Sequence, residues 1–302
     1  MFSKLIIVGT IVAFAAAHKH PVNSQIVNKI RNSTTRWAAH DAETNPLRNY
    51  SIEKIRGMMG TIVNPPSDGI DREFTETEII DGVPDNWDWR IKSTCVHPIR
   101  DQAQCGSCWA FAASEALSDR FCIASNNAID VVLSPQDLVQ CDAWDRGCNG
   151  GILSWAWDYI VRSGVVAEEC APYTSGNGVV PSCPAKCANG DAKKKYGCNG
   201  PYSQSSGIEA IKSEVFARGP VETGFTVYED FMNYQTGIYH YTSGSQLGGH
   251  AVKIIGWGQD AGVNYWICAN SWSEKWGMQG FFNIEFGQCG IDNAAFACAP
   301  KI

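Results

Sequence analysis

The sequence predicts an α+β fold of two packed halves, and three observations carry that expectation. Helix-patterned segments fill the first half of the cysteine-bearing region, β-branched and aromatic segments fill the second, and all thirteen cysteines lie between Cys95 and Cys298. Cys108 to Cys122 reads as the first helix, apolar enough that only its start should face solvent. Ser134-Pro135 supplies an N-cap and first helical residue for Gln136 to Cys141, and Leu153 to Ser163 is a third helix stopped by Gly164. Ala251 to Trp257 and Val263 to Ser271 read as strands joined by turn residues Gly258 to Gly262, with Gly280 to Glu285 a further candidate. A cleft between two such halves is the default place for chemistry.

Composition narrows the function classes. With 302 residues, 44% of them hydrophobic and 11% aromatic, the chain can build a substantial core. A net charge of −7 argues against a nucleic-acid partner, and the short run Lys193 to Lys195 reads as a solvated loop. Met1 to Lys4, the apolar run Leu5 to Ala17 and its Ala15-Ala16-Ala17 end fit a signal peptide over residues 1–17, too short to span a bilayer. No later segment is apolar enough to span, so the mature chain is expected in secretory or endolysosomal vesicles, or exported. That oxidising route suits many disulfides, and an odd cysteine count leaves at least one thiol free. Residues 18–82 carry no cysteine and contain the sequons Asn32-Ser33-Thr34 and Asn49-Tyr50-Ser51. They read as a separate module, with a boundary near Ile80 to Pro84 and a main domain over 83–302.

The chemistry begins in Gln102-Ala103-Gln104-Cys105-Gly106-Ser107-Cys108-Trp109-Ala110-Phe111, which puts Cys108 where a polar loop enters a helix. Unpaired N–H groups and the positive end of the helix dipole should favour a thiolate there, lowering its pKa. A nucleophilic thiol needs a base. Of the six histidines, His250 stands at the entry to a buried strand in Gly248-Gly249-His250-Ala251-Val252, while Asn270-Ser271-Trp272 follows on the next. A lone histidine is more often structural, but paired strands would let Asn270 fix the imidazole tautomer while Trp272 shields that bond from water. Cys105 and Cys108 could instead be half a zinc site or a redox pair, yet no second C-x-x-C or close histidine pair completes four ligands. Gly150 and Gly151 are turn residues on the plain reading; bare of side chains, they could also pair with an extended substrate backbone.

These residues resemble papain-family cysteine peptidases of the cathepsin B-like kind. The match rests on Cys105-Gly106-Ser107-Cys108-Trp109, with supporting motifs at Gly147 to Gly151, Gly219 to Glu222, Gly248 to Ala251, Gly256 to Gly258 and Asn270 to Trp272. Upstream, Asn32 to Trp37 and Met59 to Thr61 are similar to the short prosegment of that group. The resemblance implies a papain-like two-lobed fold: a mainly helical left lobe with a central helix, an antiparallel, barrel-like right lobe, and the cleft between them. It implies Cys108 as nucleophile, His250 as acid/base, Asn270 as its orienter, and Gln102 as oxyanion donor beside the Cys108 N–H. Residues 18–82 become an inhibitory propeptide laid along the cleft with Met59-Gly60 near Cys108. Glu76, Glu78 and Asp81 are candidates for acid loosening of that module. Proteins and peptides would be substrates, cystatin-type inhibitors partners, and the enzyme a monomer without cofactor or metal. Disulfides are implied for Cys95 with Cys122, Cys105 with Cys148, Cys141 with Cys183, and Cys170 with Cys187; Cys198 with Cys298 is a weaker expectation, and Cys268 a buried small hydrophobe.

The chain departs from cathepsin B in two places. No histidine lies between His97 and His240, and the segment Cys170 to Cys187 is short, without the occluding-loop His pair. The S2 pocket would hold Leu153, Gly224, Ala251 and, at its base, Ala294 in place of an acid, with Glu222 near enough to tolerate some basic P2 residues. Together these imply an endopeptidase with apolar P2 preference. The rival classes are a silent, disulfide-rich binding protein on the same scaffold, which would lose the nucleophile or base, and a zinc or redox module.

Overall fold

In a computed structural model, residues 20–63, 65 and 72–302 are described; the expected signal peptide lies outside them. The helices are α1 (Ser24–Arg31), α2 (Ile52–Gly57), α3 (Trp89–Lys92), α4 (Cys108–Ala124), α5 (Pro135–Cys141), α6 (Leu153–Ser163) and α7 (Ile208–Arg218). The strands are β1 (Trp37–Ala39), β2 (Phe74–Glu76), β3 (Trp87–Asp88), β4 (Val165–Val166), β5 (Lys195–Tyr196), β6 (Tyr202–Ser205), β7 (Val221–Tyr228), β8 (Tyr234–Tyr239), β9 (Gln246–Asp260), β10 (Val263–Ala269), β11 (Phe281–Glu285) and β12 (Ala295–Ala297).

Local chemistry sets the helix limits. The Ser134 hydroxyl accepts from the Asp137 N–H with Pro135 in the first turn, and Gly164 ends α6 at φ +66°, open to a residue without Cβ. Helix α4 is buried on every side from Cys108 to Cys122, so it shows almost no amphipathic stripe. Two of its charged residues are answered from other elements: Arg120 donates to Glu214 Oε1 at 2.9 Å and to the Pro220 carbonyl at 2.6 Å, and Asp119 Oδ2 meets Lys253 Nζ of β9 at 2.6 Å. The start of α4, expected to face solvent, is buried as well, because Gly60 and Thr61 lie over it.

The main sheet runs β1-β8-β11-β10-β9-β7-β12-β6-β2, with β3 added on β9. Its pairs are antiparallel apart from β8 with β11 and β2 with β6. The expected barrel-like lobe is therefore an open path, because its two end strands, β1 and β2, both come from the N-terminal module and cover edges that would otherwise expose unpaired backbone. Strand β9 extends beyond Ala251 to Trp257 at both ends, and its turn into β10 shrinks to Ala261 and Gly262 at φ +45° and +80°. Strand β7 has no counterpart in the pattern reading, since burial on both faces erases the alternation that marks a half-exposed strand. The N-terminal module is anchored by Trp37, which packs against Tyr239 with ring centroids 5.2 Å apart and donates to the His240 carbonyl.

The four implied disulfides form, as does Cys198–Cys298. Cys108, Cys268 and Cys289 stay free, Cys268 buried as expected. With Cys105 committed to Cys148, the zinc or redox reading of Cys105-x-x-Cys108 loses its first ligand.

Two turns along α4 from Cys108, burial pushes Glu115 up to about 7 against the downward pull of Lys253 and Arg100, with Asp119 adding upward and His97 downward. Since the folded value exceeds the unfolded one near 4.3, this group's stabilising contribution is complete below about pH 4.3 and fades as pH rises through about 7. Denaturant unfolding across this range should show Glu115→Gln losing about 3 kcal/mol less stability than the parent chain on alkalinisation. Equal pH slopes for the two proteins would refute that assignment.

Candidate active site

Three elements bring the expected residues together. Cys108 opens α4, His250 sits on β9, and Asn270, expected inside a strand over Val263 to Ser271, lies one residue past the end of β10. Antiparallel pairing of β9 with β10 sets Ile254 opposite Cys268 and Lys253 opposite Ala269, so Asn270 reaches back to His250. The His250 Nε2–H donates to Asn270 Oδ1 over 2.7 Å, leaving Nδ1 with no hydrogen-bond partner among the described residues. The Trp272 ring lies over the imidazole with centroids 4.5 Å apart and is itself buried, which shields the His–Asn bond from water.

Gln102 is held from both lobes. Its Oε1 accepts from the Ser271 hydroxyl at 2.8 Å, and its Nε2 donates to the Cys105 carbonyl at 2.8 Å and the Met58 carbonyl at 3.0 Å. Ser271 thus orients Gln102 while its neighbour Asn270 orients His250, a role for Ser271 that the sequence reading missed although its position in the Asn-Ser-Trp run pointed there. Tyr173 was missed too. Its hydroxyl donates to the Gln102 carbonyl at 2.9 Å and meets Ser107 Oγ at 2.9 Å, drawing the Ser107 side chain away from capping α4.

The N-terminal module fills the cleft. The Gly151 N–H donates to the Gly60 carbonyl, the Ile62 N–H to the Gly151 carbonyl, and the Thr61 N–H to the Gly249 carbonyl, at 2.8, 3.1 and 3.1 Å. The chain passes so close that a Cβ on Gly60 would lie 1.9 Å from the Gly106 carbonyl oxygen, a position only glycine can take. Gly151 alone of the two glycines pairs with this extended segment, while the Gly150 carbonyl accepts from the Arg146 N–H; the Cys105–Cys148 disulfide and the Gly106-to-Cys148 backbone bond bring the glycine turn beside Cys108.

Covering changes the electrostatics. Cys108 is fully buried with Thr61 Oγ1 3.2 Å from its sulfur. Burial pushes the thiol up, outweighing the downward pull of Thr61 and of the Ala251 and Gly60 amides, opposite in direction to the lowering expected from the helix start. Burial also pushes His250 down to about 4, against the upward pull of Asn270. In this form both groups are held neutral.

Beside the cleft is a cavity of about 260 Å³ lined by Leu153, Gly224 and Ala294, as expected, and also by Gln204 and Phe296. Thr61 and Val63 project toward it: their methyl carbons lie 3.2 and 3.7 Å from where a Cβ on Gly224 would stand. Ala251, opposite Gly224 in the ladder, is buried with its backbone amide toward Cys108 and is not among the residues lining the space left open beside Thr61 and Val63. Glu222 is buried, accepts from Trp157 Nε1 at 2.7 Å, is pushed well up by burial and does not line this cavity.

Residues 83–299 match the family described as papain family cysteine protease. The chain is 43% identical over 258 residues to cathepsin B-like cysteine proteinase 4 of Caenorhabditis elegans, covering 74% of this chain and 77% of that one. It is 42% identical over 279 residues to a gut-specific cysteine proteinase of the same organism, covering 82% and 83%. Among solved structures, procathepsin B S9 from Trypanosoma congolense superposes with a TM-score of 0.84 at 28% identity, covering 93% of this chain and 100% of that one. Digestive procathepsin L2 from the Tenebrio molitor larval midgut superposes at 0.73 and 26% identity, covering 91% and 87%. By profile, relatives and fold, the chain belongs to the papain family of cysteine proteases.

Proposed function

We propose that the chain is a cathepsin B-like thiol endopeptidase made as a zymogen in the secretory or endolysosomal route, with residues 1–17 as signal peptide, 18–82 as inhibitory prosegment and 83–302 as peptidase domain. One observation carries the reading: the Met58 carbonyl sits on the Gln102 amide while Gly60 to Ile62 pair with Gly151 and Gly249 over a free, buried Cys108. The prosegment occupies the place a substrate would take. It lays the Thr61 hydroxyl against the sulfur.

In the open enzyme, His250 Nδ1 takes the Cys108 proton and the thiolate attacks the substrate carbonyl carbon. The oxyanion accepts hydrogen bonds from Gln102 Nε2 and the Cys108 N–H. His250 returns the proton to the leaving amine as the C–N bond breaks, giving a thioester. Water, deprotonated by the same nitrogen, releases the acid and regenerates the thiol. Asn270 keeps the imidazole turned throughout. The segment Cys170 to Cys187, which carries no histidine, is pinned by its two disulfides and by the Gln104 N–H to the Gly176 carbonyl, consistent with an unblocked primed side. Glu76, Glu78 and Asp81 are exposed and form no ion pair among the described residues.

An epoxide thiol inhibitor should label the cleaved chain faster than the full chain and leave Cys108→Ala unlabelled; labelling that persists in that variant would sink the nucleophile assignment. Gln102→Ala should lower kcat by about one to three orders of magnitude, so wild-type peptide hydrolysis by that variant would remove Gln102 from the oxyanion site. With the cavity apolar and Glu222 sealed, peptides with Leu, Val or Phe at P2 should be cut about ten-fold or more faster than the Arg peptide. Internally quenched peptides should be cleaved faster than C-terminal dipeptides are released. Arg clearly ahead at P2, or dominant dipeptide release, would overturn the respective half of the specificity assignment.

A further inference from the structure

Away from the S2 cavity the prosegment makes a side-chain contact with the peptidase domain that has a chemistry of its own. Arg72 places its guanidinium 5.5 Å from the centroid of the Trp144 ring and 5.4 Å from that of Trp155, with Nε 3.5 Å from Asp158 Oδ2, and its side chain is 10% exposed. Two indole faces and a carboxylate around one cation form a recognition geometry rather than a chance surface pair. Arg162 forms a wall of the same place, stacked on Trp144 at 3.8 Å and paired with Asp158 at 3.1 Å.

Its position relates it to the substrate path. Trp155 follows Ile152, Leu153 and Ser154, which line the S2 cavity, and Asp158 lies one turn further along α6. Behind the Gly151 rung, Asp145 Oδ1 accepts from the Ile152 N–H at 2.7 Å. Asp142 sits beside Asp145; burial pushes both carboxyls up, and the Asp142 charge adds to the rise at Asp145. In the full chain Asp158 Oδ2 meets two cations, Arg72 and Arg162, and departure of Arg72 leaves it with Arg162 alone beside two indole faces.

We propose that Trp144, Trp155 and Asp158 form a cation-accepting subsite that takes an Arg or Lys side chain of the peptide substrate one or two residues before P2, once the prosegment and its Arg72 have left. The inference rests on the peptidase reading and adds a charge selectivity separate from the apolar S2 pocket. The occupant is a guanidinium or ammonium on an extended peptide, since the carboxylates repel an acidic side chain and an aliphatic one gains nothing from the Asp158 charge.

The test uses the full chain after prosegment removal, with peptides holding Leu at P2 and Arg, Lys, citrulline or Glu at P3 or P4. Citrulline keeps the shape of Arg without its charge. At one of the two positions kcat/KM for Arg and Lys should exceed that for citrulline by about 3- to 30-fold, with Glu lowest. Asp158→Asn and, separately, Trp155→Leu should bring the Arg-to-citrulline ratio to about 1 to 2, a change that a loss of active enzyme alone does not produce; the second variant serves should the first not fold. Equal rates for Arg and citrulline at both positions, or a preference that survives both substitutions, would overturn the proposal. If no peptide is cut, the peptidase reading fails and calorimetry decides the subsite: cleaved Cys108→Ala chain should bind the Arg peptide at least about three-fold tighter than the citrulline peptide, and equal binding would overturn it.

Discussion

The Asp119–Lys253 pair at the crossing of α4 and β9 is the constraint on which the rest of the molecule depends. Both side chains are buried and their charged atoms are 2.6 Å apart. Helix α4 carries Cys108 at its start and β9 carries His250 three residues before Lys253, so the pair ties the helix of one lobe to the strand of the other. Two charges withdrawn from water demand a close partner, because separating them leaves each uncompensated at a cost of about 3–5 kcal/mol. That penalty resists sliding of one lobe on the other. Arg120, one residue on, adds the same kind of restraint toward α7 and the end of the chain through Glu214 and the Pro220 and Cys298 carbonyls. A thiol and an imidazole from distant parts of the sequence are thereby held on opposite walls of one cleft.

A second set of contacts decides whether that cleft is usable. Residues 58–63 bond to both walls, and strands β1 and β2 of the same module complete the two edges of the sheet. The covered pair is electrostatically quiet: burial raises the thiol and lowers the imidazole, so the charge-separated form that attacks a carbonyl is disfavoured while the module is in place. Blocking the site and suppressing its reactivity share one physical cause, the exclusion of water from the same small volume.

Much of this was legible in residue order because it rests on local chemistry. The Ser134-Pro135 cap, the Gly164 stop and the helix at Cys108 came through because each depends on the backbone of a few neighbours. Cys108, His250, Asn270 and Gln102 were legible because their types and order carry the chemistry, and the disulfides followed from the resemblance those residues support. What escaped was set across the fold. Strand β7 hides its period by being buried on both faces, Ser271 and Tyr173 bond to Gln102 from distant parts of the chain, and Glu222 is sealed against Trp157.

The sequence by itself determined which groups could react and which family of folds could hold them, since a thiol at a helix start, a histidine at a strand entry and their spacing are properties of the chain. Only the tertiary structure decided the state of those groups. The neutral Cys108 and His250, the sealed Glu222, the open sheet finished by the N-terminal module and the cation held between Trp144 and Trp155 all depend on which surfaces exclude water from which. Desolvation is a property of three-dimensional neighbours, and no spacing of residues along the chain encodes it alone.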